Sequence, residues 1–343
     1  MAGPDKQENP IARLIEPLSA AEIKQRVAAL AGPADQALKD NLHSHVSFIE
    51  EVAGYIIFSG GKRLRPVLYL LACSALGGPR EPAQASLFEF LHAATLLHDD
   101  VIDEAGLRRG RPAARTEYGN DAVILVGDFL FSKSYSLAAA TGDPAFMRAL
   151  TDCTTYMAEG QVLELLHTGD LQLAVDGYLA IIRAKTAVLL AAACQMGAIR
   201  SGASPEEVKL MYDYGMELGI AFQMVDDALD YVGTMHEFGK PVGHDLAEGK
   251  ITLPFIHARD NAEAGKSTRL LELAEAGKRQ PEVLEEAKDI VRQAGGVEHT
   301  MREATRRAAQ AQAHLSPLLE RNPDREDLKT LMGIASYVIT RRS

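Results

Sequence analysis

Two short acidic clusters constrain this chain more than anything else in it. Asp99, Asp100 and Asp103 lie in LLHDDVIDE, and Asp226, Asp227 and Asp230 lie in FQMVDDALDYV. Each helical residue advances by about 100°, so the third acid of an i, i+1, i+4 set falls between the other two around the axis, and all three carboxylates share a face. Apolar neighbours flank both sets: Leu96, Leu97, Val101 and Ile102 around the first, Phe222, Met224, Val225, Ala228 and Leu229 around the second. The acids therefore belong on the inner side or rim of a helix, where crowded carboxylates require cations. With 47 acidic residues in 343, one such triplet arises by chance; two all-aspartate copies in apolar settings do not read as solvated faces. Hard oxygen ligands of this kind suit magnesium (Mg2+), which takes one or two carboxylates and keeps other positions for water and substrate phosphate. A phosphorylated ligand follows.

The fold class expected is all-α, a single large bundle around a central cavity, because facing helices with inward carboxylates are how bundles build metal sites. Helix signals recur. Ser19-x-x-Glu22 is a capping box, Ser204-Pro205-Glu206-Glu207 joins an N-cap to an N1 proline and an N3 acid, and Asp143-Pro144 opens another helix. Strand alternation is nowhere convincing. Gly77-Gly78-Pro79, Thr141-Gly142 and Gly295-Gly296 read as interhelical turns. The segment 1–17, with three prolines and many polar residues, reads as a flexible tail, and 18–343 as one helical domain.

Three places supply positive charge. Gly60-Gly61-Lys62-Arg63-Leu64-Arg65-Pro66 sets two glycines before a helix start, aiming Lys62 and Arg65 at an anion. Arg108-Arg109-Gly110-Arg111 follows Asp103 by five residues. Lys185-Thr186 interrupts an apolar helix in AIIRAKTAVLLAAA, and Lys240 and Lys250 follow the second aspartate set. An ammonium buried as Lys185 must be is costly unless it meets an anion. His92 lies two helical turns before Asp99, about 10 Å along the same face.

Several function classes drop out. No GxxxxGK[ST] loop is present, since Asp260 stands where Gly265-Lys266-Ser267 would need its first glycine, and neither GxSxG nor an obvious nucleophilic triad occurs. A net charge of −11 argues against a nucleic-acid partner. Cys73, Cys153 and Cys194 form no CxxC and read as buried thiols of a reducing compartment, so a cytoplasmic location is expected. Apolar runs such as 187–194 fall short of the about 20 residues a membrane span needs, so no transmembrane segment is expected.

GGKRLRP, FLHAATLLHDDVIDEAGLRRGRP, GNDAVILVGDFLF, Lys185-Thr186, FQMVDDALDYVG and GKPVGHDLAEGKITLP occur in this order, and the ending SYVITRR follows them. From about residue 20 onward the chain thereby resembles the trans-polyprenyl diphosphate synthases, and among them the long-chain octaprenyl and decaprenyl type. The resemblance implies that Lys62, Arg65, His92 and Arg109 hold isopentenyl diphosphate, and that Arg108, Lys185, Thr186, Gln223 and Lys240, with Lys250, face the allylic diphosphate. It implies Asp99, Asp103, Asp226 and Lys185 as catalytic, with Asp100, Asp227 and Asp230 completing the metal-binding set. It also implies a farnesyl or geranylgeranyl primer, a homodimer, a quinone side chain as destination, and Ala94, five places before Asp99, as a tunnel residue whose small size leaves room for a long product.

Three alternatives stand beside this one. A terpene cyclase usually carries Asn, Ser or Thr in its second metal motif, unlike Asp226-Asp227-x-x-Asp230. A farnesyl or geranylgeranyl synthase shares the chemistry and differs in tunnel depth. A non-catalytic subunit of a heteromeric synthase would lack aspartates that are present here.

Overall fold

The computed structural model describes residues 18–232, 244–277 and 283–340. The proposed tail at 1–17 and the candidate Lys240 lie outside these residues. The described chain is helical almost throughout, as the capping signals require. It runs through α1 (Ala20–Asn41), α2 (Ser47–Ile57), α3 (Leu64–Ala75) and α4 (Pro82–Ile102). After a small hairpin come α5 (Ala114–Tyr118), α6 (Asn120–Ala139), α7 (Pro144–His167) and α8 (Val175–Ile182). A π turn at Arg183–Ala187 leads into α9 (Val188–Arg200) and α10 (Pro205–Val232). The remainder is α11 (His244–Ala247), α12 (Leu253–Asn261), α13 (Ala264–Gly277), α14 (Leu284–Gln293), α15 (Gly296–Arg321) and α16 (Glu326–Thr340).

The expected caps are in place. Ser19 and Glu22 satisfy each other's backbone N–H at the start of α1, Asp143 accepts from the N–H groups of Ala145 and Phe146 at 2.8 and 3.2 Å, and Ser204 and Glu207 close the same reciprocal box before α10. Gly77, Gly142 and Gly295 turn the chain with positive φ.

One element departs from the strand-free expectation. Leu107–Arg108 pairs antiparallel with Arg111–Pro112, because Arg109 and Gly110 adopt φ of 53° and 73°, the double left-handed geometry that closes a two-residue hairpin. A strand of two residues is too short to leave an alternation in the sequence.

The core is carried by α3, α9, α10, α15 and α16. α9 is buried around nearly its whole circumference, from Val188 to Ala198, which its run of small residues allows by close backbone approach. A second apolar cluster joins α1, α2, α4 and α6 through Leu38, Ile56, Phe90, Ala94, Leu97 and Leu130. By length and composition alone, Asn120–Ala139 and Val175–Arg200 are long and apolar enough to cross a bilayer, which the shorter run at 187–194 does not reveal. The second is largely a core helix, with 61% of its apolar window buried against 33% for the first.

Candidate active site

α4 carries the first acids at its C-terminal end. It stops at Ile102 with Asp103 as its cap residue, so Asp99 and Asp103 sit where the chain leaves the bundle. α10 carries the second set within its last two turns. Asp99 and Asp226 both line one cavity of about 1410 Å³, larger than the roughly 300–1,000 Å³ of ordinary small-molecule sites.

The same wall gathers most of the cationic candidates. Lys62 and Arg65 enter from the start of α3, where Gly60 and Gly61 take φ of 111° and 142°. His92 enters from α4, Arg108 and Arg109 from the hairpin, and Lys185, Thr186 and Gln223 from the π turn and α10. Arg65 is half-buried on the cavity wall, and its Nε is buried with no hydrogen-bond partner; burial pushes its pKa down, Glu89 opposing. A guanidinium with an orphaned donor on a cavity wall suits an anion. Burial, then the guanidiniums of Arg65, Arg109, Arg108 and Arg63, hold His92 well below its usual range, so its imidazole is neutral.

The π turn is set by its neighbours. A Cβ on Gly160 would come within 2.6–2.8 Å of Ala184 and of the Lys185 backbone, and one on Gly219 within 2.5 Å of Ala187. Both glycines let α7 and α10 close on the turn that presents Lys185 and Thr186, a local irregularity common at functional sites. Lys185 donates to Glu164 and lies 3.5 Å from Asp99. Burial raises the Asp99 pKa, with Lys185 opposing. Lys250 lies off the large cavity, beside a smaller one of about 170 Å³, and bridges Asp103 at 2.9 Å and Glu248 at 2.7 Å. Burial disfavours its ammonium, but Glu248, Glu164 and Asp103 more than compensate and raise its pKa.

The six aspartates of the proposed metal set are held in different ways. Asp100 is fully buried and is the anchor of Arg108, which donates to it through Nε and Nη2. Both oxygens of Asp227 are committed, Oδ2 to the Tyr178 hydroxyl at 2.5 Å and Oδ1 to Gln223 Nε2 at 2.8 Å. Asp230 receives the backbone N–H groups of His244 and Asp245, each at 3.2 Å. The i, i+1, i+4 spacing aims three acids at a shared half of the helix, and that half is wide enough to hold a cavity and its flanking walls together. Asp99 and Asp226 lie on the cavity wall, and Asp103 stands one turn beyond Asp99 beside Lys250. Among the described residues no three acidic, histidine or cysteine side chains close on one point, which accords with an ion that completes its shell from water and substrate oxygens.

Ala94 is fully buried in the α2–α6 cluster and is not among the residues that line the cavity. Five residues turn the helix by about 500°, placing Ala94 about 140° from Asp99, whereas Thr95 is only about 40° away. Thr95, with Leu96 and His92, lines the cavity, whose wall continues over Phe131, Tyr135 and Thr154.

Arg63 was not legible as a site residue. It caps α3 at φ 51°, and its guanidinium is tied to Asp35 at 2.6 Å, Glu89 at 2.7 Å and the Ile57 carbonyl at 2.7 Å. Its strained backbone and triple anchorage fix the loop from which Lys62 and Arg65 project. Glu89, Glu164 and Tyr178 also escaped notice; Glu89 alone carried a signal, three residues before His92 on the same helix.

A helical bundle whose acids and bases converge on one large, mainly apolar cavity is a metal-assisted diphosphate enzyme. The chain belongs to the polyprenyl synthetase family, whose model matches residues 46–291. It is 37% identical over 307 residues to the octaprenyl diphosphate synthase of Escherichia coli (strain K12), covering 89% of this chain and 94% of that enzyme. Its fold is similar to a polyprenyl synthase from Caulobacter crescentus CB15 complexed with calcium and isoprenyl diphosphate, with TM-score 0.87, 34% identity, and coverage of 96% and 100% of the two chains. A decaprenyl diphosphate synthase from Rhodobacter capsulatus matches with TM-score 0.84 and 38% identity, covering 94% of this chain and 99% of that one.

Proposed function

We propose that this chain is a long-chain trans-prenyltransferase that condenses isopentenyl diphosphate with an allylic diphosphate of farnesyl or geranylgeranyl size. Repetition carries the product to octaprenyl or decaprenyl length. The observation that carries the reading is one large apolar cavity with Asp99 and Asp226 on its wall and two separate basic sets beside them.

When bound, a divalent cation, in our reading magnesium, supplies Lewis-acid stabilisation of the departing diphosphate. Asp99 and Asp226, with Asp103 one turn beyond Asp99, would hold it. Lys185 and Arg108 add fixed positive charge on the leaving-group side. Lys62, Arg65, Arg109 and the neutral His92 orient isopentenyl diphosphate so that its double bond faces the allylic carbon. Loss of the allylic C–O bond leaves a delocalised carbocation, the double bond of isopentenyl diphosphate attacks it to form the new C–C bond, and proton loss to the departed diphosphate restores an allylic product one unit longer. No protein nucleophile is needed.

Incubation with farnesyl diphosphate, excess isopentenyl diphosphate and magnesium, followed by mass analysis of dephosphorylated products, tests the reading. A ladder ending at octaprenyl to decaprenyl length is expected. Products stopping at geranylgeranyl length would assign a short-chain synthase instead. A folded, metal-supplied protein without turnover would assign a non-catalytic subunit.

The reading extends to a homodimer paired through the α6–α7 hairpin, where Leu125, Val162, Leu165 and Leu166 are exposed by 57–74%. It extends also to one helical domain from residue 18, a cytoplasmic location and a quinone side chain as destination. Support for the location comes from Cys73, Cys153 and Cys194, all buried free thiols.

A further inference from the structure

Behind the π turn lies a hydrogen-bond chain that ends on Asp227, whose Oδ1 accepts from the Gln223 amide N–H at 2.8 Å. The Gln223 carbonyl oxygen is thereby turned to Thr186, whose hydroxyl donates to it at 2.9 Å. Since that hydroxyl has a single proton, only oxygen lone pairs are left for Thr186 to present to the large cavity that it lines. The three donations that make up the chain, from Thr186, Gln223 and Tyr178, all run toward Asp227.

What fixes Asp227 is Tyr178. Its hydroxyl donates to the other carboxylate oxygen at 2.5 Å, and both residues are only 2% exposed. Burial first, then the Asp227 charge, raise the phenol's pKa, so it stays a donor. Tyr178 is on α8, seven residues before Lys185, and lines the smaller cavity with Asp227, away from the large one. It touches no reacting atom.

We propose that Tyr178 is a positioning residue for prenyl transfer: by holding Asp227 it fixes the Gln223 amide and turns the lone pairs of Thr186 toward the allylic carbon. The inference rests on the prenyltransferase reading above. With phenylalanine at this position, the buried carboxylate loses one donor and is free to rotate off Gln223. The amide can then flip, and the Thr186 hydroxyl can point its proton at a centre that becomes positive.

The test is a double-mutant cycle on the full-length enzyme with magnesium, using active-site-normalised kcat, both KM values and the melting temperature. Tyr178→Phe is expected to lower kcat roughly ten- to thirtyfold, as for one or two lost hydrogen bonds, with KM for isopentenyl diphosphate unchanged within about twofold. In a Thr186→Val background, which has no hydroxyl to orient, Tyr178→Phe should cause no further loss of kcat. Independent losses that multiply in the double variant, or an unchanged kcat in Tyr178→Phe, overturn the proposal. A variant with a lower melting temperature but wild-type kcat per folded site assigns Tyr178 a purely structural role and overturns it as well. If Tyr178→Phe does not fold, Gln223→Met breaks the same chain, and its loss must likewise vanish beside Thr186→Val. Wild-type protein without prenyl transfer breaks the prior reading, whereas an active wild type with multiplying variants breaks this one alone.

Discussion

The two aspartate sets have one spacing and two ways of being held. The first is neutralised by cations: Lys185 stands 3.5 Å from Asp99, Lys250 2.9 Å from Asp103, and Arg108 on Asp100. Two of its acids keep some exposure, 14% for Asp99 and 16% for Asp103. In the second set Asp227 is held by a phenol and an amide, and Asp230 receives two backbone N–H groups. Ammonium partners can be exchanged for metal and diphosphate at little structural cost, because one electrostatic partner replaces another. Phenol and backbone partners cannot. One motif repeat therefore provides acids with exchangeable ion-pair partners in the first set, and in Asp227 and Asp230 acids fixed by neutral donors.

The largest effect should come from the acids both sets contribute. Asp99→Ala and Asp226→Ala should each lower turnover by about three orders of magnitude, since each loses a ligand to an ion worth several kcal/mol to the leaving group. Melting temperatures should stay close to wild type for Asp99→Ala, where Lys185 retains Glu164. Chelation of metal should abolish turnover in the parent enzyme and readdition restore it. Near-normal kcat in either variant, with metal stripped and restored, would remove the assignment.

The contrast in rigidity is tested next by stability. Asp227→Ala leaves the Tyr178 hydroxyl and the Gln223 amide buried without their acceptor, and should cost about 2–4 kcal/mol in denaturant unfolding. Asp103→Ala should cost under about 1 kcal/mol, because Lys250 keeps Glu248 and an acid at a helix C-terminus opposes the dipole. Equal losses would show that the two sets are held alike.

The two substrate sites separate in steady-state kinetics. Arg109→Ala should raise KM for isopentenyl diphosphate about tenfold or more, and Lys185→Ala should chiefly affect the allylic substrate, each by loss of a charge-assisted contact. Matching shifts for both substrates in both variants would merge the two basic sets into one.

α4 shows how far the sequence could be read. The spacing of its acids located the site, and GGKRLRP and Lys185-Thr186 located its cations, because charged residues embedded in apolar helices have few other uses. What stayed hidden were partners distant in sequence: Glu164 for Lys185, Tyr178 for Asp227, and Asp35 and Glu89 for Arg63. Nothing in a local window encodes such pairings. Which residue of α4 faces the cavity depends on rotation as well as axial depth, and rotation separates Ala94 from Thr95. This geometry predicts that Thr95→Phe, on the cavity wall, shortens the product, while Ala94→Phe overpacks the α2–α6 cluster and costs about 1–3 kcal/mol with product length unchanged. Mass analysis of both product ladders decides between them.

The smallest effect concerns protons at the isopentenyl end. His92 is neutral in the folded protein because burial, Arg65 and Arg109 hold its pKa well below the ordinary 6.5. The unfolded chain takes up a proton at that histidine once pH drops below about 6.5, so there the unfolded state binds more protons than the native one. Stability from this group is therefore complete above that range and declines as pH falls toward the folded pKa, with a slope of at most about 1.4 kcal/mol per pH unit for one proton. His92→Asn, which keeps a hydrogen-bonding group without the titration, should flatten the melting-temperature profile between about pH 6.5 and 5 relative to the parent. A parent and variant whose profiles fall in parallel over that window would mean that His92 is already protonated in the native state, and that isopentenyl diphosphate meets an imidazolium there.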